Sequence, residues 1–243
     1  MHKYSDLQEQ RVVLLGGTSG IGLATAKAAA REGAAVVVVS SRQSNVDKAL
    51  LELPKGSEGY AVNLSNEEHI RNFFARVPSF DHLVYSAGDS LVVDHISNVD
   101  VEAAKQAFTL RYWGAYTAVK YGSGKINPGG SITLTTGIAG ERPMKEWTIA
   151  SSVCGAVTSL TRALAVELAP IRVNAVSPGV VRTELWRGMS ETERQDFYNG
   201  IGQNLLVGRV GEVEDLAEAY LFLMREKFST GQILTVDGGT VLV

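Results

Sequence analysis

Short runs of β-branched and other apolar residues alternate along the chain with longer segments of helical periodicity. Strands are predicted over 11–15, 35–40, 59–63, 81–86, 131–135, 172–176 and 232–236. Several are almost unbroken apolar runs (Val-Val-Leu-Leu, Ala-Ala-Val-Val-Val-Val), as in strands covered on both faces. Helices are predicted near 20–32, 44–53, 66–76, 99–121, 148–169 and 212–225. Seven strands alternating with six helices imply an α/β fold, a doubly wound parallel sheet with helices on both sides. Within the fifth of these helices, Ile149, Val153, Val157, Leu160 and Leu164 recur at steps of three and four and mark a buried stripe. Ala150 and Cys154, four apart, share a face. No repeat, low-complexity segment or Pro/Gly/Ser-rich linker divides the chain, so 1–243 is expected to be one domain. Residues 183–208 carry Trp186, Met189, Phe197 and Tyr198 among polar residues beyond the sixth strand. That position suits a substrate lid; a small helical pair on the surface is the other reading.

Composition narrows the function. Of 243 residues, 45% are apolar and 20% charged, enough core to argue against disorder. A net charge of −3 argues against a nucleic-acid surface or a polybasic membrane patch. Cys154 is the only cysteine, which rules out an internal disulfide and a cysteine-built zinc site and fits a reducing compartment. His2, His69, His82 and His95 show no ligand spacing, so no metal is expected. The N-terminal Met1-His2-Lys3-Tyr4-Ser5-Asp6 lacks the apolar stretch of a secretory signal. No run of about 18 apolar residues occurs. The expectation is a cytoplasmic protein that acts on a small molecule, with no nucleic-acid or membrane partner.

Candidate chemistry begins at Leu14-Leu15-Gly16-Gly17-Thr18-Ser19-Gly20-Ile21-Gly22, between the first strand and the first helix. Glycines there allow a tight turn and close approach of backbone to a pyrophosphate, and the helix N-terminus adds free N–H groups and a positive dipole end. The spacing Gly16-x-x-x-Gly20-x-Gly22 resembles the short-chain dehydrogenase/reductase family. So do Ser86-Ala87-Gly88, the segment 174–183 around Pro178-Gly179-Val180-Val181-Arg182-Thr183, and the stretch 231–239 ending in Asp237-Gly238-Gly239. The resemblance covers residues 11–240 and implies a Rossmann-like domain that binds a nicotinamide dinucleotide. It places the cofactor against Gly16, Thr18, Ser19, Gly20, Ile21 and Gly22, against Asn63 and Leu64 at the adenine, and against Ser86, Ala87, Gly88, Pro178, Gly179, Val180 and Thr183. The second strand ends in Ser40-Ser41-Arg42, where an NAD-preferring site would carry a carboxylate. Hydroxyls and a guanidinium suit a 2′-phosphate instead, so NADP(H) is expected.

The family reduces carbonyls with an Asn-Ser-Tyr-Lys set. Read onto this chain, those four places are Arg111, Gly137, Ala150 and Cys154, and no Tyr-x-x-x-Lys occurs between 137 and 170. Reducing a ketone makes an alkoxide that needs a proton donor, and losing a general acid typically costs about 10²–10⁴-fold in rate. An iminium ion needs no proton in the hydride step. A site for it needs a carboxylate against the cation and donors to orient the rest. Glu146 is the candidate carboxylate, Arg111 the candidate orienting group, and Trp147 and Trp186 a candidate aromatic wall. A displaced phenol at Tyr85 is a weaker alternative. The pattern resembles fungal relatives of this family that make bridged indole alkaloids. There the tetrad is lost, an Arg stands at the Asn place and an acidic residue precedes the former Tyr. This implies a bifunctional imine reductase and [4+2] cycloaddition catalyst. Two other readings stay open: a non-redox isomerase or cyclase in the old pocket, and a nucleotide-binding pseudoenzyme. A conventional ketoreductase would need another phenol. The resemblance also implies a homodimer or homotetramer built through 99–121 and 148–169.

Overall fold

A computed structural model describes residues 7–243; His2 and the rest of the N-terminal segment 1–6 lie outside the described residues. Seven parallel strands form one sheet: β1 (Arg11–Leu15), β2 (Ala35–Ser40), β3 (Glu58–Ala61), β4 (Phe80–Tyr85), β5 (Ile126–Thr135), β6 (Arg172–Pro178) and β7 (Ile233–Val236). The helices are α1 (Gly20–Arg31), α2 (Gln43–Leu51), α3 (Glu67–Arg76), α4 (Val101–Phe108), α5 (Ala115–Gly122), α6 (Thr148–Glu167), α7 (Glu191–Gly202) and α8 (Val213–Arg225).

The two-residue period of the strands sorts the core into two layers. Val13 and Leu15 of β1, with Val37 and Val39 of β2, face the side covered by α3, α5 and α6. Val12 and Leu14, with Val36 and Val38, face the side covered by α1 and α8. Burial on both faces is why these strands read as continuous apolar runs. The α6 stripe of Val157, Leu160 and Leu164 packs into the first layer. By length and composition alone α6 is apolar enough to cross a bilayer, yet Val153, Val157, Leu160 and Leu164 are buried inside the fold.

Strand order β3-β2-β1-β4-β5-β6-β7 reverses direction between β1 and β4. The loops after these two strands therefore diverge and open a crevice at their carboxyl ends, where ligands bind in such sheets.

Two elements differ from expectation. The segment expected as one helix over 99–121 is broken: a π-helical turn, Thr109–Gly114, separates α4 from α5. β5 starts five residues early, at Ile126, because Ile126 pairs with Phe80 before an irregularity re-sets the register at His82–Ser131; Pro128, Gly129 and Gly130 had read as a turn. Within 183–208 lie a short 3-10 turn, Glu184–Trp186, and α7, which Ser190 opens with a reciprocal cap to Glu193.

Candidate active site

The loops after β1, β2, β4, β5 and β6 surround one cleft of about 1130 Å³. At its floor the glycine turn packs directly on the segment after β4. Gly16 has φ +92°, and a Cβ there would stand 2.5 Å from the Ala87 nitrogen. A Cβ at Gly22 would stand 2.2 Å from the Gly16 carbonyl and 2.5 Å from Ser86 Oγ. Only bare Cα atoms permit this approach. Ser19 precedes α1 without a side-chain cap, and the first turn carries no acidic residue. The helix thus keeps free N–H groups and a positive end, which fits a pyrophosphate.

The residues expected at the adenosine also meet in this cleft. Ser40, Ser41 and Arg42 line the cleft where β2 meets α2. α2 begins at Gln43 with no side-chain cap and no acid in its first turn. Asn63 and Leu64 line the same end, and the Asn63 amide oxygen accepts from the Ser65 N–H at 3.0 Å. Ser86, Ala87, Gly88, Pro178, Gly179, Val180 and Thr183 line the far end. Every position expected from sequence to hold the cofactor therefore meets in one cleft.

The π-helical turn sets the substrate end. Tyr85 Oη donates to the Leu110 carbonyl at 2.6 Å, and a Cβ at Gly114 would stand 2.3 Å from that oxygen. The buried phenol is used up beneath the turn, and burial pushes it well above the ordinary tyrosine range. Tyr85 is not on the cleft wall, so the displaced-phenol alternative is corrected.

From this turn Arg111 reaches the cleft. Its Nε lies 3.4 Å from Asp89 Oδ1 and a second guanidinium nitrogen donates to the Asp89 carbonyl. The guanidinium covers Gly88, where a Cβ would stand 2.8 Å from Nη1. Gly137, Ala150 and Cys154 line the same cleft. A Cβ at Gly137 would be 3.2 Å from Cys154 Sγ, and burial raises the Cys154 thiol pKa, keeping it protonated and inert. The neighbouring hydroxyls face inward. Thr135 Oγ1 donates to the Tyr85 carbonyl at 2.7 Å and lies 2.6 Å from Tyr220 Oη. Thr136 Oγ1 donates to the Cys154 carbonyl at 2.8 Å. Among the described residues, no tyrosine and no histidine lines the cleft.

Glu146 is not brought together with Arg111. It is exposed, with φ 69° in the left-handed region, and its carbonyl accepts the Asp94 N–H at 3.0 Å. Its neighbours Lys145 and Trp147 line the cleft, as do Trp186 and the acidic residues Asp89 and Glu184. Asp89, not singled out from the sequence, also lines the cleft, directly after Ser86-Ala87-Gly88. Arg42, Arg111, Arg142, Lys145 and Arg187 outnumber these two acidic residues on the wall, so the cleft is cationic in a chain of net charge −3. Field focusing of this kind attracts polyanions. From the segment 183–208, Trp186, Ile201, Asn204 and Leu205 reach the cleft. Trp186 Nε1 donates to the Val181 carbonyl at 3.0 Å, and its ring lies 4.8 Å from that of Phe197.

Residues 4–243 match the SDR-like Rossmann domain family. The chain belongs to the short-chain dehydrogenases/reductases. It is 35% identical to short-chain dehydrogenase/reductase fsr5 of Gibberella fujikuroi, over 98% of this chain and 97% of that protein. A small-chain dehydrogenase solved in complex with NADPH is 37% identical, with a TM-score of 0.87 over 97% of this chain and 100% of that one. The MalC reductase/Diels-Alderase of Malbranchea aurantiaca is 28% identical, with a TM-score of 0.91 over 99% of this chain and 100% of that one. The sheet order, the glycine turn and the crevice at the β1/β4 switch are thus those of a dehydrogenase/reductase.

Proposed function

We propose that this family member is an atypical NADP(H)-dependent reductase of an activated, iminium-type C=N bond in a small molecule, and that the same cleft then guides an intramolecular [4+2] cycloaddition in alkaloid biosynthesis. One observation carries the reading. A complete dinucleotide cradle shares its cleft with Arg111, Gly137, Ala150 and Cys154, and no phenol lines that cleft to deliver a proton as ketone reduction needs.

When bound, NADPH would supply hydride to the iminium carbon while the C=N electron pair moves to nitrogen. The chain's residues do the rest. The Gly16–Gly22 turn and the α1 N-terminus hold the pyrophosphate, and Arg42 with Ser40 and Ser41 holds the 2′-phosphate. Asn63 and Leu64 flank the adenine. Ser86, Ala87, Gly88, Pro178, Gly179, Val180 and Thr183 set the nicotinamide end. Asp89, rather than Glu146, stands against the substrate cation, because Asp89 lines the cleft and Arg111 holds its carboxylate. Trp147 and Trp186 present aromatic faces that favour a cation and exclude water. A cycloaddition forms its bonds without proton transfer, so shape and orientation suffice for it. The segment 183–208 acts as the lid.

Two relatives support this reading: one solved with NADPH, the other a reductase/Diels-Alderase. The same reading makes the protein a cytoplasmic homodimer or homotetramer that meets a small molecule, not a nucleic acid or a membrane.

Deuterium labelling tests the redox half. With NADPH deuterated at C4 and 1-methyl-3,4-dihydroisoquinolinium as probe, deuterium is expected at the former C=N carbon of the amine. Tight NADPH binding with no deuterium transfer to this or other cyclic iminium probes would contradict it.

A further inference from the structure

Behind Arg111 the cleft opens into a side cavity of about 40 Å³, set between the loop after Asp89, α4 and α6. Val92, Ala107, Ile149, Val153 and Val157 line this cavity and not the main cleft. Ala150, Cys154 and Leu91 stand at the junction of the two.

Most of the polar side chains around the cavity are already engaged by protein partners. A buried water needs two to four polar partners. Here Thr135 Oγ1 is engaged by the Tyr85 carbonyl and Tyr220, at 2.7 and 2.6 Å. Thr136 Oγ1 is engaged by the Cys154 carbonyl at 2.8 Å. Ser86 Oγ turns toward the Leu15 and Gly16 carbonyls at 3.5 and 3.4 Å. Arg111 is engaged by Asp89, and Ser90 stands at the mouth, shared with the cleft. The residues found only in this cavity, Val92, Ala107, Ile149, Val153 and Val157, add apolar side chains, while polar atoms of the shared residues face part of the space.

We propose that this cavity is a subsite for a compact branched alkyl group carried next to the carbon that accepts hydride. The placement of that carbon rests on the reductase reading above; the apolar subsite itself does not. Its volume is room for about three water-sized bodies, the size of an isopropyl group. The small side chains of Ala150 and Cys154 keep the junction open. The residues that remove the proton donor thus also make room for a branch, and a substrate with only hydrogen at that position would leave the cavity empty.

Calorimetry on the protein–NADP⁺ complex tests the subsite without turnover, with 2-isopropylpyrrolidine and 2-methylpyrrolidine as probes. One added methylene in an apolar pocket is worth about 10–200-fold, so the isopropyl compound is expected to bind at least about tenfold tighter. Val153→Met and, separately, Ala107→Leu fill the cavity. Each should abolish the preference while leaving NADP⁺ and 2-methylpyrrolidine affinity within about twofold. Two independent variants guard against one that fails to fold. Equal affinity of the two probes in the unmodified protein, or a preference surviving both variants, would overturn the subsite. NADPH consumption with 2-isopropyl-1-pyrroline is measured in parallel. A binding preference without NADPH consumption would sustain the subsite and count against the reductase reading. Consumption without a preference would do the reverse.

Discussion

Arg111 lies across Gly88 and grips Asp89, its Nε 3.4 Å from the carboxylate. Removing either partner of this pair has a defined consequence. Arg111→Ala frees Asp89 to turn toward solvent, and Asp89→Asn removes the negative charge from the wall. Each is expected to lower turnover of a cyclic iminium substrate by about 10²-fold or more, the usual cost of losing one preorganised electrostatic group. NADPH affinity should change by less than about threefold, because neither residue belongs to the phosphate cradle. Glu146→Gln, off the cleft wall, should leave turnover within about twofold. Steady-state kinetics with fluorescence titration of NADPH checks all three; a Glu146→Gln loss equal to that of Asp89→Asn would reverse the assignment.

Arg42 is expected to decide between the two dinucleotides. Hydrogen bonds to a charged group contribute about 1.5–3 kcal/mol, so Arg42→Ala should weaken NADPH by roughly ten- to hundredfold and leave NADH unchanged. Titration of both cofactors against both proteins reads this directly. Parallel losses for NADH and NADPH would mean that the guanidinium does not meet the 2′-phosphate.

Ala150 and Cys154 point to a gain of function. Ala150→Tyr combined with Cys154→Lys places a phenol and an ammonium four residues apart on α6. A general acid is worth about 10²–10⁴-fold, and ketone reduction by the double variant should rise by that order over the parent. The same change closes the mouth of the side cavity, so turnover of branched imines should fall. A ketone rate that stays at the parental level would show that the proton donor is not what the cleft lacks.

How far the sequence was legible follows from how local each determinant is. β1 and β2 were readable to the residue because burial on both faces leaves an apolar run with no competing pattern. The glycine turn was readable because Gly16 and Gly22 each exclude a Cβ for reasons that lie within the turn and the segment it touches. The π-helical turn was not, since it depends on Tyr85 Oη meeting the Leu110 carbonyl across 25 residues of chain. The early start of β5 was hidden by Pro128-Gly129-Gly130, which carry a turn signature even though Ile126 pairs with Phe80. Glu146 looked promising by proximity to Ala150 along the chain, but its left-handed backbone sets it on an exposed loop. Asp89 became visible only once Arg111 had been brought to it from 22 residues away.

His82 gives the fold a pH dependence independent of the cleft. Its ring nitrogens lie 2.8 Å from Ser131 Oγ and 2.7 Å from Gln10 Oε1. Burial first, then nearby Arg172, lowers its pKa to about 4, against an opposing pull from Asp81. An unfolded histidine titrates near 6.5. Between those values the unfolded chain holds a proton that the native chain does not, so stability falls as pH falls through this window and is intact above it. The loss amounts to roughly 3 kcal/mol. Urea unfolding at about pH 7.5 and about pH 4.5 should show this difference, and His82→Gln should reduce it. An unchanged difference in the variant would assign it to other groups.

The most direct measurement of the central claim is NADPH consumption by the unmodified protein with two substrates of one skeleton, 1-methyl-3,4-dihydroisoquinolinium and 1-tetralone. The account predicts loss of nicotinamide absorbance with the iminium and a rate with the ketone lower by about 10²-fold or more. Ketone reduction at a rate equal to or above that of the iminium would contradict it.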